Sequence, residues 1–468
     1  MPNFNNKHIR FLYIFIVIGA LLFLAVWQKS SKADVLEKGI PKARANFSNK
    51  NEVESLKSTS LPGTAKASKL TGSWPQFRGA KRDGIADGDE LLSTNWSKNG
   101  PDKIWTIKVA KGHAGVAIYK GRVFLHDYDE KTKRDVIRCL SFDTGEEIWR
   151  VSYPILIKTS HGITRSVPAV NDKYLVTIGP KAQTYCINPD TGKVIWSKSL
   201  VMEFGTKVPT WYSAQCPYLD GEDIILAPSG PEALMIKVEA ATGKVIWTTP
   251  NPLGWTMTHT SIVPMMLDGR QTYIYSASGG IAGIDAETGK LLWDSVKWKV
   301  KIAACASPVV IDKDRIFFCG GYGSGSSMMK ISKENDSYSI KSIFKFNPKQ
   351  FGSVHHTPLL YKDHIFGVSP EHHLVCATLD GKIKWTSAGK NKFGNMGPYM
   401  IIQNKLYIMD NECNLFLLDI DKDGYKLLSN AKVLPGHDSW GMMAYANGRL
   451  IIRDLDTMSC LDLSTNGK

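Results

Sequence analysis

One short motif repeats along the chain and limits what it can fold into. Asp143-Thr-Gly-Glu-Glu-Ile-Trp149, Asp190-Thr-Gly-Lys-Val-Ile-Trp196, Ala241-Thr-Gly-Lys-Val-Ile-Trp247 and Glu287-Thr-Gly-Lys-Leu-Leu-Trp293 are four copies, and Asp380-Gly-Lys-Ile-Lys-Trp385 is a fifth that has lost the Thr. Degenerate copies end near Phe344 and Leu428, and Trp105 has the strand with no turn before it. The eight anchors recur every 41 to 51 residues, a period suited to four short strands per unit and too long for most helical solenoids. Each Gly suits the positive φ of a tight hairpin, and alternation of polar residues with Val, Ile and Trp gives a strand with one packed face. Trp105, Trp149, Trp196, Trp247, Trp293 and Trp385 are therefore read as blade-docking residues.

Each unit also opens alike, with a small residue and often Pro, an apolar strand, a turn and a second apolar strand, as in Ser307-Pro-Val-Val-Ile-Asp-Lys-Asp-Arg-Ile-Phe317. The expectation is an all-β, eight-bladed β-propeller of four-stranded blades over residues 71–468. Residues 440–468 carry three strands and stop at a turn, so the strand at 103–109 is expected to complete the last blade and close the ring.

The N-terminal part reads differently. Phe11 to Trp27 is a run of seventeen apolar, aromatic or glycine residues, flanked by Lys7 and Arg10 before it and Lys29 after it. Seventeen is the short limit for a spanning helix and long for a signal core, so the run reads as a single transmembrane helix or an export signal, following a short cytoplasmic segment of residues 1–10. Residues 28–70, rich in Lys, Ser, Asn and Ala, read as a flexible linker. The expected location is the bacterial inner membrane, single-pass, with the propeller in the periplasm, or export if the signal is cleaved. The chain holds 58 basic and 44 acidic residues, a net charge of +14. Half of that excess falls in residues 1–70, and the rest is spread over nearly 400 residues with no basic stripe interleaved with aromatics, which argues against a nucleic-acid partner.

The repeat is similar to that of propellers built from pyrroloquinoline-quinone (PQQ) repeats, whose blades share an Asp-x-x-Thr-Gly-Lys-x-x-Trp docking motif. The lead-in Trp74-Pro-Gln-Phe-Arg-Gly-Ala-Lys-Arg-Asp-Gly84 resembles that of membrane-attached bacterial propellers described as similar to the outer-membrane assembly factor BamB. The resemblance implies either a scaffold that binds envelope proteins or a quinone-dependent dehydrogenase of alcohols or sugars using PQQ with calcium. Alcohol-oxidising members carry two adjacent cysteines beneath the quinone; none of the eight cysteines here adjoins another. The first reading, with no cofactor and a monomeric propeller, is the one adopted.

Cys139 and Cys186 both stand six residues before their turn Gly, which makes them equivalent core positions in different blades. Cys305 and Cys319 flank one hairpin and form the one plausible disulfide. No Cys-x-x-Cys or His-x-x-x-His spacing suggests a metal. The glycine-rich stretch at 320–327 lacks the Lys-Ser/Thr ending of a phosphate loop and reads as an inter-strand loop. Aligning the blade openings on Pro places His113, Arg165, Ala214, His259, Cys305, His355, Asn395 and Trp440 at one position. Because blade entrances converge on a propeller axis, His113, Arg165, His259, His355 and Trp440 form a candidate channel-mouth ring. It could hold an anionic or quinonoid ligand, or simply solvate the mouth.

Overall fold

The computed structural model describes residues 56–158 and 160–465, so the apolar run at 11–27 and the linker as far as residue 55 lie outside the described residues. Among the described residues no helix is long and apolar enough to cross a membrane. The strands form eight antiparallel sheets of four chain-consecutive strands each, except the last, and this is the expected eight-bladed propeller. Blade 1 uses strands Val116–Tyr119, Arg122–Asp129, Arg134–Ser141 and Glu147–Pro154. Blade 8 uses Ala444–Ala446, Arg449–Arg453 and Thr457–Asp462, and its outer strand is Asp102–Lys108, with Trp105 opposite Cys460. The ring is therefore closed by the strand expected to close it. A five-residue helix, Leu200–Phe204, follows blade 2, capped by the Ser199 side chain and by Gly205 in the left-handed region.

The repeated Trp and Gly meet across consecutive blades. Four of the six Trp stand on the outer strand of one blade and lie against the turn Gly of the next: Trp105 on Gly145, Trp149 on Gly192, Trp196 on Gly243 and Trp247 on Gly289, with Phe344 taking the same place on Gly381. A Cβ at these glycines would fall 2.6 to 2.9 Å from the ring, and all five have φ between 70° and 91°. Both the hairpin and the docked ring thus require glycine. The indole N–H completes the clasp by donating to a carbonyl of the next blade: Trp105 to Phe142, Trp149 to Pro189, Trp196 to Ala240, Trp247 to Ala286 and Trp385 to Asp421, at 2.7 to 3.2 Å. Trp293 is the exception. The blade that follows it has Asn335-Asp336 in place of the Thr-Gly turn, and the buried Trp293 Nε1 has no acceptor.

A second belt runs nearer the axis. The Val167 N–H lies 3.2 Å from Cys216 Sγ, the Cys216 N–H donates to Ser261 Oγ (3.0 Å), Ser261 N–H to Ser307 Oγ (2.9 Å) and Ser307 N–H to Thr357 Oγ1 (2.9 Å). The small residues at the blade openings are therefore inter-blade hydrogen-bond acceptors running from blade 2 to blade 6. The belt stops where Gly397 offers no side chain.

Two added strands modify the expected plan. Thr59–Pro62 pairs with Glu147–Pro154 as a fifth, outer strand of blade 1, so the linker expected through residue 70 is, from Thr59 onward, part of the folded unit. It is held because an outer blade edge offers unpaired backbone groups that an extended segment can satisfy. Ile85–Ala86 pairs in parallel with Ile401 and Ile402 on the innermost strand of blade 7. All eight cysteines are free thiols, including Cys305 and Cys319. Cys305 faces the axis at a blade entrance, whereas Cys319 packs with Phe317, Met328 and Phe351 in the core beside blade 6.

The clasp gives a graded expectation. Trp247→Phe removes a buried hydrogen bond and should cost about 1–2 kcal/mol more than Trp293→Phe, whose indole donates to nothing. Gly289→Ala should cost at least about 1–2 kcal/mol, from the left-handed φ alone. Urea unfolding of the purified chain and its variants measures all three; equal costs for the two Trp substitutions would contradict the clasp.

Candidate functional site

Antiparallel blades put their connections alternately on two faces of the disc. The links between blades share one face with the loops between second and third strands, and the Thr-Gly turns occupy the other. The segment Trp74–Ala86 is tied to innermost strands all round the axis. The Trp74 backbone pairs with Ile118, Val170 N–H donates to Pro75 O, and Ile401 N–H donates to Gly84 O. Arg78 is 7% exposed and donates to the carbonyls of Thr357, Pro358, Arg82 and Asp83; Arg82 donates to Pro217 O and Gln76 Oε1. Burial lowers both guanidinium pKa values to about 10, still charged at neutral pH. The lead-in is thus a plug fastened to blades 1, 2, 3, 6 and 7, and the sequence had not revealed this role.

Phe77 of the plug lines a chamber of about 230 Å³ at the axis. The other walls include His113, Arg165, Ala214, His259, Cys305, His355 and Trp440, seven of the eight aligned positions. Every one stands two residues before its belt residue or the equivalent position in its blade, so the belt sets the register that brings them together. Asn395 is the exception: its side-chain amide donates to Pro370 O, and the neighbouring Met396 lines the chamber instead. The alignment did not single out His161, His356, Trp211 or Tyr322, which also contribute. His356 adjoins a ring position and could have been suspected; Trp211 and Tyr322 reach the chamber from irregular loops that carry no repeat signal.

The chemistry of the walls is specific. The His113 ring stacks on Trp440 at 4.7 Å and 25°, and His355 meets the same indole edge-on at 5.3 Å. His113 Nε2 lies 2.9 Å from His161 O and His356 Nε2 2.9 Å from Met396 O. Those bonds assign the proton to Nε2 in both rings and leave Nδ1 as an acceptor. Gly162 is needed for the first of them, since a Cβ there would press to 3.1 Å from the His113 ring. Both Nδ1 atoms, and Trp440 Nε1, are buried with no hydrogen-bond partner. Arg165 is held by the carbonyls of Ile163, Ser160 and His161. It forms no ion pair among the described residues, and no Asp or Glu lines the chamber. Desolvation lowers its pKa to about 10. Desolvation, with the Arg165 charge beside them, lowers His259 and His355 to about 4, and burial brings His356 to about 3. Near neutral pH the chamber therefore presents one cation among neutral imidazoles and aromatic faces.

Two other features from the sequence stay outside this site. The glycine-rich stretch forms the hairpin between Arg315–Gly320 and Gly325–Glu334, and His372-His373 sits in the corresponding loop of blade 6. Among the described residues no cluster of His, Cys, Asp and Glu could hold a metal ion.

A family model described as outer membrane protein assembly factor BamB matches residues 133–387, more than half of the chain. No curated protein matches. The crystal structure of BamB from Moraxella catarrhalis superposes with a TM-score of 0.52 at 14% identity, covering 77% of this chain and 99% of that one, a likeness of fold. The quinohemoprotein alcohol dehydrogenase from Comamonas testosteroni gives a TM-score of 0.46 at 10% identity, covering 85% and 81%.

The histidines make stability depend on pH. Their folded pKa values lie below the unfolded value of about 6.5, so the unfolded chain binds more protons between about pH 6.5 and 4. Stability should be full above pH 6.5 and fall as pH drops through that window, by about 2–3 kcal/mol for each ring. Thermal unfolding from pH 4 to 8 measures this, and His355→Gln should reduce the slope; an unchanged slope would contradict the assignment.

Proposed function

This chain belongs to the PQQ-repeat propeller family described as outer membrane protein assembly factor BamB, and on that premise we propose that it is a non-enzymatic, protein-binding scaffold of the bacterial envelope. In this reading residues 11–27 anchor it in the inner membrane and the ring works in the periplasm. The observation that carries the proposal is the distribution of exposed apolar side chains. Of the large apolar side chains exposed among the described residues, Leu156, Leu253, Val296 and Ile302, 55% to 67% exposed, lie in links between blades on the face where the chamber opens, while Leu61, Leu91, Met266 and Ile343 are exposed elsewhere. The link at 250–262 contains no charged residue at all. Large apolar side chains exposed together on one face are more typical of a protein contact than of a solvated surface.

The donor set of the chamber supports the same choice. Calcium takes six to eight oxygen ligands, carboxylates prominent among them. The only formal charge in the chamber is the Arg165 cation, and no carboxylate faces it. These walls do not fit a calcium–quinone pair, and no oxidation step is derived through one.

Affinity capture of the full-length chain from envelope membranes tests the scaffold. It should recover a defined set of envelope proteins, and the double variant Leu253→Glu, Ile302→Glu should weaken their retention by at least about tenfold, the loss expected for hot-spot residues. Recovery of no stable partner, or of the same set with the variant, would overturn the proposal. Alkaline washing of membranes should leave the chain in the pellet and release a variant lacking residues 2–30; release of the intact chain would contradict the anchor.

A further inference from the structure

We infer that the axial chamber is a metal-independent binding site for a hydroxylated ring bearing one carboxylate, the chemical class of the hexuronic acids. The first support is electrostatic. Arg165 is pinned by three backbone carbonyls, which neutralise none of its charge, and it has neither an ion-pair partner nor an acidic neighbour in the chamber wall. A partly buried guanidinium without a counterion is able to take up an incoming carboxylate with charge-assisted hydrogen bonds. Because His259, His355 and His356 are neutral, the chamber matches a single negative charge and is mismatched to the three carboxylates of pyrroloquinoline quinone.

The second support is the unmet hydrogen-bonding capacity of the wall. His113 Nδ1 and His356 Nδ1 are acceptors that no protein donor serves, and Trp440 Nε1 is a donor with no acceptor. These three belong to residues that line the chamber, where a ligand can supply the partners. Hydroxyl groups donate and accept, and so can answer both kinds of atom. The third support is shape. Trp440, Trp211 and Phe77 line the chamber with aromatic surface, Trp440 being stacked on His113, and the plug closes the channel beneath it. The inference does not depend on the scaffold reading: a protein-binding face and a ligand chamber can coexist on one ring.

The test is titration of the purified full-length chain, followed by tryptophan fluorescence and by calorimetry. Galacturonate and trigalacturonate are both used, since a free acid and a chain end present the same group. Saturable 1:1 binding of either, in the presence of a chelator, is expected, with galactose at least about tenfold weaker. Arg165→Gln should weaken binding by at least about tenfold while Arg165→Lys retains most of it. Circular dichroism confirms that the variants fold; should Arg165→Gln not fold, Trp440→Phe, which removes the unmet indole N–H, should weaken binding of the acid and reduce the fluorescence change, and unweakened binding would overturn the inference. Equal affinity for galactose and galacturonate, no saturable binding of either acid to the folded chain, or calcium-dependent binding of the quinone in preference to both would overturn the inference.

Discussion

The indole-on-glycine clasp is the interaction on which the ring depends. A single four-stranded blade buries one face poorly and leaves both sheet edges open, so a blade is stable only when its neighbours cover it. Here the contact carries direction. At five of the eight junctions the outer strand of one blade reaches forward with an aromatic ring, and the next blade receives it on a residue that has no side chain. Because the receiving glycine also makes the hairpin, one position serves the local turn and the long-range packing. Consecutive clasps give a ring only if the last blade meets the first. Trp105, on a strand that precedes blade 1 in the chain and completes blade 8 in space, lies on Gly145 of blade 1 and makes that contact.

The chamber follows from this closure. With the blades in register, the belt from Val167 to Thr357 fixes their entrances at one height, and the residues two places earlier converge on the axis. Convergence alone would leave an open channel. The plug converts it into a chamber with a floor, using two arginines whose donors meet carbonyls of the plug itself and of Thr357, Pro358 and Pro217, just ahead of the innermost strands of blades 6 and 3. Burying two guanidinium groups without carboxylates is costly unless their donors are satisfied. The four carbonyl partners of Arg78 explain how that position is tolerated, while Arg82 keeps Nε and Nη2 unmet. Arg165, in the chamber wall, is likewise held by backbone carbonyls, which makes carbonyl-held cations a recurrent device around this axis.

Much of this was legible in the sequence, for physical reasons that differ by element. The blade count and the closing strand could be read because the clasp needs Trp and Gly at fixed spacing, and the spacing survives where the Thr is lost, as at Asp380 to Trp385. The convergence of His113, Arg165, His259, His355 and Trp440 could be read because the blade openings align on a Pro position, which puts these residues at one place in the repeat. Asn395 went astray where the belt stops, at Gly397. The plug was opaque because it lies outside the repeat and its arginines act through backbone carbonyls, which leave no complementary residue to find. The strand at Thr59–Pro62 was hidden in a composition typical of linkers, since pairing to an exposed edge uses backbone groups and leaves all four of its side chains exposed.

The central claim is that the N-terminal segment both closes the ring and floors the chamber. Hydrogen–deuterium exchange of the full-length chain tests it most directly. The amides of Asp102–Lys108 that pair with Thr457–Asp462 should exchange as slowly as the amides they face, and the plug amides of Arg82 and Gly84, bonded to the carbonyls of Gly79 and Arg78, should share that protection. Fast exchange of either segment, with the remaining blades protected, would contradict the account.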